Sequence, residues 1–96
     1  DNEFFKIGLE IVQSHNEKWN GTGYPDGLCK DAIPLSARIM AIADTYDALR
    51  SKRVYKSEKS HAESIRIIEE ESGRQFDPQI VRVFLHNEGR IENIYG

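Results

Sequence analysis

The sequence predicts an all-α fold, a bundle of about four helices. Three observations carry this. Four segments repeat apolar residues at roughly 100° per residue, the helical period. No segment alternates apolar and polar residues as a half-buried strand would. Residues that start and stop helices fall at the ends of the periodic runs.

The first segment spans about Glu3 to Trp19, with Asp1 or Asn2 available as a cap. Phe4, Phe5, Leu9, Ile11, Val12, His15, Asn16 and Trp19 fall on one half of its wheel. Lys6, Glu10, Gln13, Ser14 and Glu17 fall on the other. His15 is thereby aimed at the core or a cleft. The second segment runs from about Leu35 to Arg50, behind Pro34 at the favoured starting position. Leu35, Ile39, Ile42, Ala43, Tyr46 and Leu49 form its apolar face, and little of it is polar, so it reads as the central helix. Asp44 and Asp47 lie on it. A carboxylate on so apolar a helix needs a partner or a metal, because burying it alone costs several kcal/mol, in order of magnitude, or shifts its pKa.

The third segment runs from about His61 to Ser72. Ser60 and Glu63 fit a capping box, Ala62, Ile65, Ile67 and Ile68 face inward, and Gly73 is a stop signal. The fourth starts with Asp77 as cap and Pro78 in its first turn, carries Ile80, Val81, Val83, Phe84 and Leu85, and ends near Gly89. Arg90 to Gly96 reads as a short helical turn or a frayed end.

The chain has 96 residues, 30% charged and 39% hydrophobic, so it is one small water-compatible domain or a piece of one. A net charge of −3 argues against binding a nucleic-acid polymer, which needs a basic footprint. No apolar run approaches the roughly 18–20 residues that span a bilayer. Cys29 is alone, which excludes an internal disulfide and fits a reducing cytoplasm. The abrupt helical start suggests a chain cut from something longer.

Two connections stand out. Asn20 to Ile33 has no helical period and is long enough for a functional loop. Its Gly21, Gly23 and Gly27 permit positive φ and close backbone approach, which suits a ligand pocket or a plain turn. Ser51 to Lys59 carries Lys52, Arg53, Lys56 and Lys59, the most basic stretch of an acidic chain. Arg53 and Lys56 suit phosphate, although such runs are also common as solvated loops. His15 reads as a metal ligand or as a core histidine bonded to a carbonyl. Glu17 could ligate metal, but on the polar side of its helix it reads rather as structural or as a support to ligands. Glu69 to Glu71 read as a solvated helix end, and His61 and His86 as surface or boundary residues.

Taken together, His15-Asn16-Glu17-Lys18-Trp19-Asn20-Gly21-Thr22-Gly23-Tyr24-Pro25-Asp26-Gly27-Leu28 resembles the signature of HD-GYP domains. The run from Ile33 to Leu49 is similar to the helix that follows in that family, and Ser51 to Lys56 and Ser72 to Pro78 fit in collinear order. The resemblance covers residues 1–96 as the C-terminal portion of such a domain, without its upstream His-Asp half. It implies part of a larger HD-type phosphohydrolase bundle, a bacterial metal-dependent phosphodiesterase that hydrolyses cyclic di-GMP with two or three iron or manganese ions. Fusion to, or partnership with, a receiver or other sensor domain is implied as well.

By the same resemblance, His15 and Asp44 are metal ligands, and Asn16 stands at a second histidine ligand position. Tyr24, Arg53 and Lys56 contact substrate, and Asp47 matches an acidic position near the site. No catalytic side chain is assigned. The alternative is a degenerate, non-catalytic module that senses the nucleotide or docks onto a protein, with Asn16 as its mark. With the upstream half absent, the resemblance also implies exposed apolar helix faces, self-association, and no turnover by the 96 residues alone.

Overall fold

The computed structural model describes residues 2–95. Helices α1 (Asn2–Ser14), α2 (Leu35–Arg50), α3 (His61–Glu70), α4 (Pro78–His86) and α5 (Glu88–Tyr95) follow in order, with one 3₁₀ turn at Lys30–Ala32. The all-α expectation holds, with five helices among the described residues where the sequence suggests about four. The expected cap at Asp1 lies outside those residues, as does Gly96.

Helix α2 has the bounds read from the sequence, and Pro34 occupies its N-cap position. Its buried residues are Ala37, Ile42, Tyr46 and Leu49. The helix is central, as expected, and packs on α1, α3 and α4, with Ala37 buried on the side opposite Tyr46. Ala43, Asp44 and Asp47 are exposed, as are Leu35 and Ile39. The core joins Ile42, Tyr46 and Leu49 of α2 to Ile68 of α3, Phe76, and Val81 of α4. Helix α1 packs on α2, and Ser36 Oγ donates to Glu10 Oε1 at 3.1 Å. The outward side of α1 leaves Phe5, Leu9 and Val12 exposed, so most of its predicted inner face is not covered here.

An ion pair fixes α2 against α4. Arg38 Nη1 lies 2.7 Å from Asp77 Oδ2, and Asp77 is only 2% exposed. Asp77 Oδ1 also accepts from Gln79 N–H at 2.9 Å, the predicted N-cap. Arg38 Nε donates to the Ile33 carbonyl at 2.9 Å. One guanidinium therefore ties the end of the long loop to the start of α4.

Three boundaries differ from expectation. Helix α1 stops at Ser14 and not at Trp19. Glu17 N–H closes a turn on Ser14 O at 3.0 Å, and beyond it Trp19 N–H bonds to Gln75 O and Asn20 N–H to Arg74 O, both at 2.9 Å. Helix α3 ends at Glu70, where a tight turn begins. Gly73, at φ 81°, lets the chain reverse so that its N–H reaches Phe76 O at 2.8 Å. Gly89 does not end the last helix but lies inside α5. A helical glycine costs about 1 kcal/mol, and α5 offsets that by packing Ile91 on the core and Tyr95 on Tyr46.

His61 is also reassigned, because it is buried and not a surface residue. Its Nδ1 is 2.9 Å from Tyr46 Oη. Arg50 donates to the same oxygen, which leaves the tyrosine proton for His61 Nδ1. His61 Nε2 then faces Glu88 and Glu92 of α5, at 3.5 and 4.0 Å. Ala62, expected inward, is exposed because this register turns His61 and Ser64 to the core. The Ser60–Glu63 capping box forms as predicted.

Two predictions follow from these contacts. Asp77→Ala removes both the ion pair and the cap and should lower unfolding free energy by about 3–5 kcal/mol. Asp77→Asn keeps a cap acceptor and should cost less in urea titrations; equal losses would refute the double role. Hydrogen bonds from the Ser60 backbone and hydroxyl hold the Glu63 carboxyl below its ordinary pKa. The capping contribution is then complete above the ordinary glutamate range and is lost as pH falls through the lowered folded value. The Glu63 side-chain NMR resonance should therefore titrate at a lower pH than free glutamate, and an unshifted midpoint would count against the box.

Candidate functional site

The end of α1, the glycine-containing loop and the outward side of α2 enclose a cleft of about 300 Å³. His15, Asn16 and Tyr24 line it from one side, Asp44 and Thr45 from α2, and Gln75 and Phe76 from the turn after α3. Four residues singled out from the sequence, His15, Asn16, Tyr24 and Asp44, thus share one cavity although 29 positions separate the first from the last.

Each reaches it for a local reason. His15 follows the last residue of α1, and its Nδ1 is 2.9 Å from the Ile11 carbonyl. That bond requires the proton on Nδ1 and leaves the Nε2 lone pair available. The two readings of His15 thus coincide: a carbonyl-bonded histidine is oriented as metal-binding histidines commonly are. Asp44 is exposed on the cleft side of α2. Its neighbour Thr45 spends its hydroxyl on Ala41 O at 2.8 Å. Among the described residues no three His, Cys, Asp or Glu side chains converge as a metal cluster.

The loop is built around Glu17. The sequence puts this residue on the polar face of a helix, but the helix has ended and the side chain turns inward, 4% exposed. Its Oε2 accepts from Asp26 N–H and its Oε1 from Leu28 N–H, each at 2.9 Å. Tyr24 N–H donates to Asn16 O at 3.2 Å. Gly23 presses on the same stretch: a Cβ there would meet the backbone of Asn16 and Lys18 and lie 2.7 Å from Glu17 Cα. Gly21 and Gly27 have φ of 84° and 68°, so they supply the reversals. The Tyr24–Pro25 peptide is cis.

Arg53 and Lys56 do not line the cleft. They face each other across a short hairpin beyond α2, where Arg53 N–H donates to Lys56 O at 3.0 Å and Lys56 N–H to Arg53 O at 3.3 Å. Both side chains are exposed, with Val54 and Tyr55 at the tip. Asp47 lies outside the cleft too, and accepts from Tyr95 Oη at 3.0 Å.

Residue-level reading of the sequence missed Lys18, Gln75 and Phe76 as lining residues. Gln75 Nε2 donates to Glu71 Oε1 at 3.0 Å, so Glu71 is not simply a solvated helix end. The pairing of residues 74–75 with 19–20 creates this side of the cleft, and no local period announces it.

Comparison with known proteins identifies the family. The HD-domain family profile matches residues 2–80. A cyclic di-GMP phosphodiesterase of Vibrio cholerae serotype O1 is 56% identical over 82 residues, 85% of this chain and 17% of that protein. The cyclic di-GMP phosphodiesterase response regulator RpfG of Xanthomonas campestris pv. campestris is 42% identical over 95 residues, 99% of this chain and 25% of that protein. The crystal structure of a cyclic GMP-AMP specific phosphodiesterase of V. cholerae superposes with a TM-score of 0.66 at 30% identity, covering 92% of this chain and 21% of that one. The chain therefore spans a quarter or less of the length of these relatives. No helix among the described residues is long and apolar enough to cross a membrane.

Gly23→Ala should destabilise the chain by about 1–3 kcal/mol, because backbone and not a flexible side chain must yield. Gly89→Ala, with open space around its Cβ, should be neutral or stabilising by up to about 1 kcal/mol. Chemical denaturation of the two variants checks this contrast, and equal effects would contradict the packing described.

Proposed function

The chain belongs to the HD-domain family, and on that premise we propose that it forms one wall of a metal-dependent phosphodiesterase site for cyclic di-GMP in bacterial signalling. The observation that carries this reading is the convergence of His15, Asn16, Tyr24 and Asp44 on one cleft. The relatives support the choice of substrate: the 56% identity to a cyclic di-GMP phosphodiesterase exceeds the 42% to a 3′3′-cyclic GMP-AMP-specific one of the same organism.

The donor chemistry fits part of a metal site. His15 offers Nε2, Asp44 a carboxylate and Asn16 a neutral amide oxygen, a mixed set suited to iron or manganese. Divalent ions, two or three in a complete site, would supply positive charge at the scissile phosphate and lower the pKa of water there. His15 and Asp44 are too few to complete such a set, since these ions take about four to six ligands. Tyr24 orients the ligand at the cleft mouth, and Arg53 and Lys56 hold phosphate oxygens as it extends toward the hairpin. Asn16 also favours a second reading, a module that binds the nucleotide without hydrolysing it. We place the chain in the cytoplasm beside a receiver or other sensor domain. Phe5, Val12, Leu35 and Ile39 leave apolar surface that a second copy would cover, so light scattering should give more than the monomer mass.

Calorimetry of the 96-residue chain with cyclic di-GMP should detect binding. Arg53→Ala and Lys56→Ala should each weaken it about tenfold, the effect of losing one charge-assisted hydrogen bond. Tighter binding of 3′3′-cyclic GMP-AMP would redirect the substrate assignment, and no binding of either would overturn it. Turnover by this chain alone should be undetectable. Asn16→His should raise bound manganese measured by elemental analysis; unchanged content would argue against a ligand position at residue 16.

A further inference from the structure

Glu17 makes two main-chain bonds from one buried carboxylate, and their placement says what it does. Asp26 and Leu28 lie two and four positions beyond Tyr24, and both donate to Glu17. Before Tyr24, Gly23 rests against residues 16–18, and the Tyr24 N–H is bonded to Asn16 O. The segment carrying Tyr24 is thus held on both sides by the residues that directly follow His15. We propose that Glu17 is a positioning residue, which sets the place of Tyr24 relative to His15 and Asn16 so that the substrate-contact and metal-facing parts of the cleft keep a fixed spacing.

The chemistry requires a carboxylate. Two N–H groups converge on two oxygens, and ionised Glu offers acceptors at both. Gln has one acceptor and one donor, so one loop amide would face an N–H group. Asp is shorter by a methylene and cannot span the same gap without moving the backbone. The carboxylate is buried and the bonds are charge-assisted, which places them among the stronger hydrogen bonds of a protein.

This assignment rests on the cyclic di-GMP reading only for its binding arm, and a second arm needs no ligand. Amide exchange followed by NMR should find the Asp26 and Leu28 amides protected in the wild-type chain. In Glu17→Gln at least one should exchange faster, while amides within α2 and α3 keep their protection. In the binding arm, Glu17→Gln should weaken cyclic di-GMP about tenfold, the scale of one lost charged hydrogen bond. The double variant Glu17→Gln, Tyr24→Ala should bind no more weakly than Tyr24→Ala alone, because Glu17 acts through Tyr24.

Additive losses overturn the positioning role, and so does the absence of protection at Asp26 and Leu28 in the wild type. That wild-type measurement decides the matter even if Glu17→Gln fails to fold. If the wild-type chain binds no cyclic di-GMP, the substrate reading falls, and the exchange arm still judges Glu17.

Discussion

The contact between Arg38 and Asp77 organises this structure. Asp77 is almost fully buried, and a carboxylate there is tolerable only with a partner charge and satisfied lone pairs. It has both, from the guanidinium and from the first turn of α4. Because Arg38 also holds the Ile33 carbonyl, the end of the long loop, the first turns of α2 and the start of α4 meet at one point. The entry of α2 is thereby fixed against α4, with Tyr46, Ile68 and Val81 closing the core behind it.

The cleft depends on that frame but is shaped by a different device. Its α2 side is rigid, because Ile42 and Tyr46 on the opposite face are locked into the core while Asp44 and Thr45 look outward. Its other side is irregular chain. Such chain is ordinarily mobile, yet here residues 15–28 are gathered around one buried carboxylate and bonded sideways to residues 74 and 75. A rigid helix thus faces a loop that has been made rigid.

Local signals in the sequence were dependable. The bounds of α2, the Ser60–Glu63 box and the Asp77 cap all depend on neighbours within four residues, and all are found. The collinear match also groups His15, Tyr24 and Asp44, which share one cleft. Failures occurred where a distant partner decides. Glu17 looks solvated on a helical wheel because the wheel assumes a helix that tertiary bonds have ended. His61 looks peripheral until Tyr46 and α5 enclose it. Gln75 and Phe76 reach the cleft only because their turn pairs with Trp19 and Asn20. Gly89 reads as a stop until the packing of Tyr95 is counted.

The hairpin at Arg53 and Lys56 has one further consequence. It projects two exposed cations from a chain whose net charge is −3, so the molecule's charge is unevenly distributed. An anion near this end of α2 meets a locally positive surface. For an anionic ligand of the proposed site, such attraction would raise the rate of encounter without any change in final contacts. Such guidance works over about 10 Å at 0.1 M salt and fades as salt rises. If the hairpin holds phosphate as proposed, it would act on the kinetics of arrival as well as on the bound state.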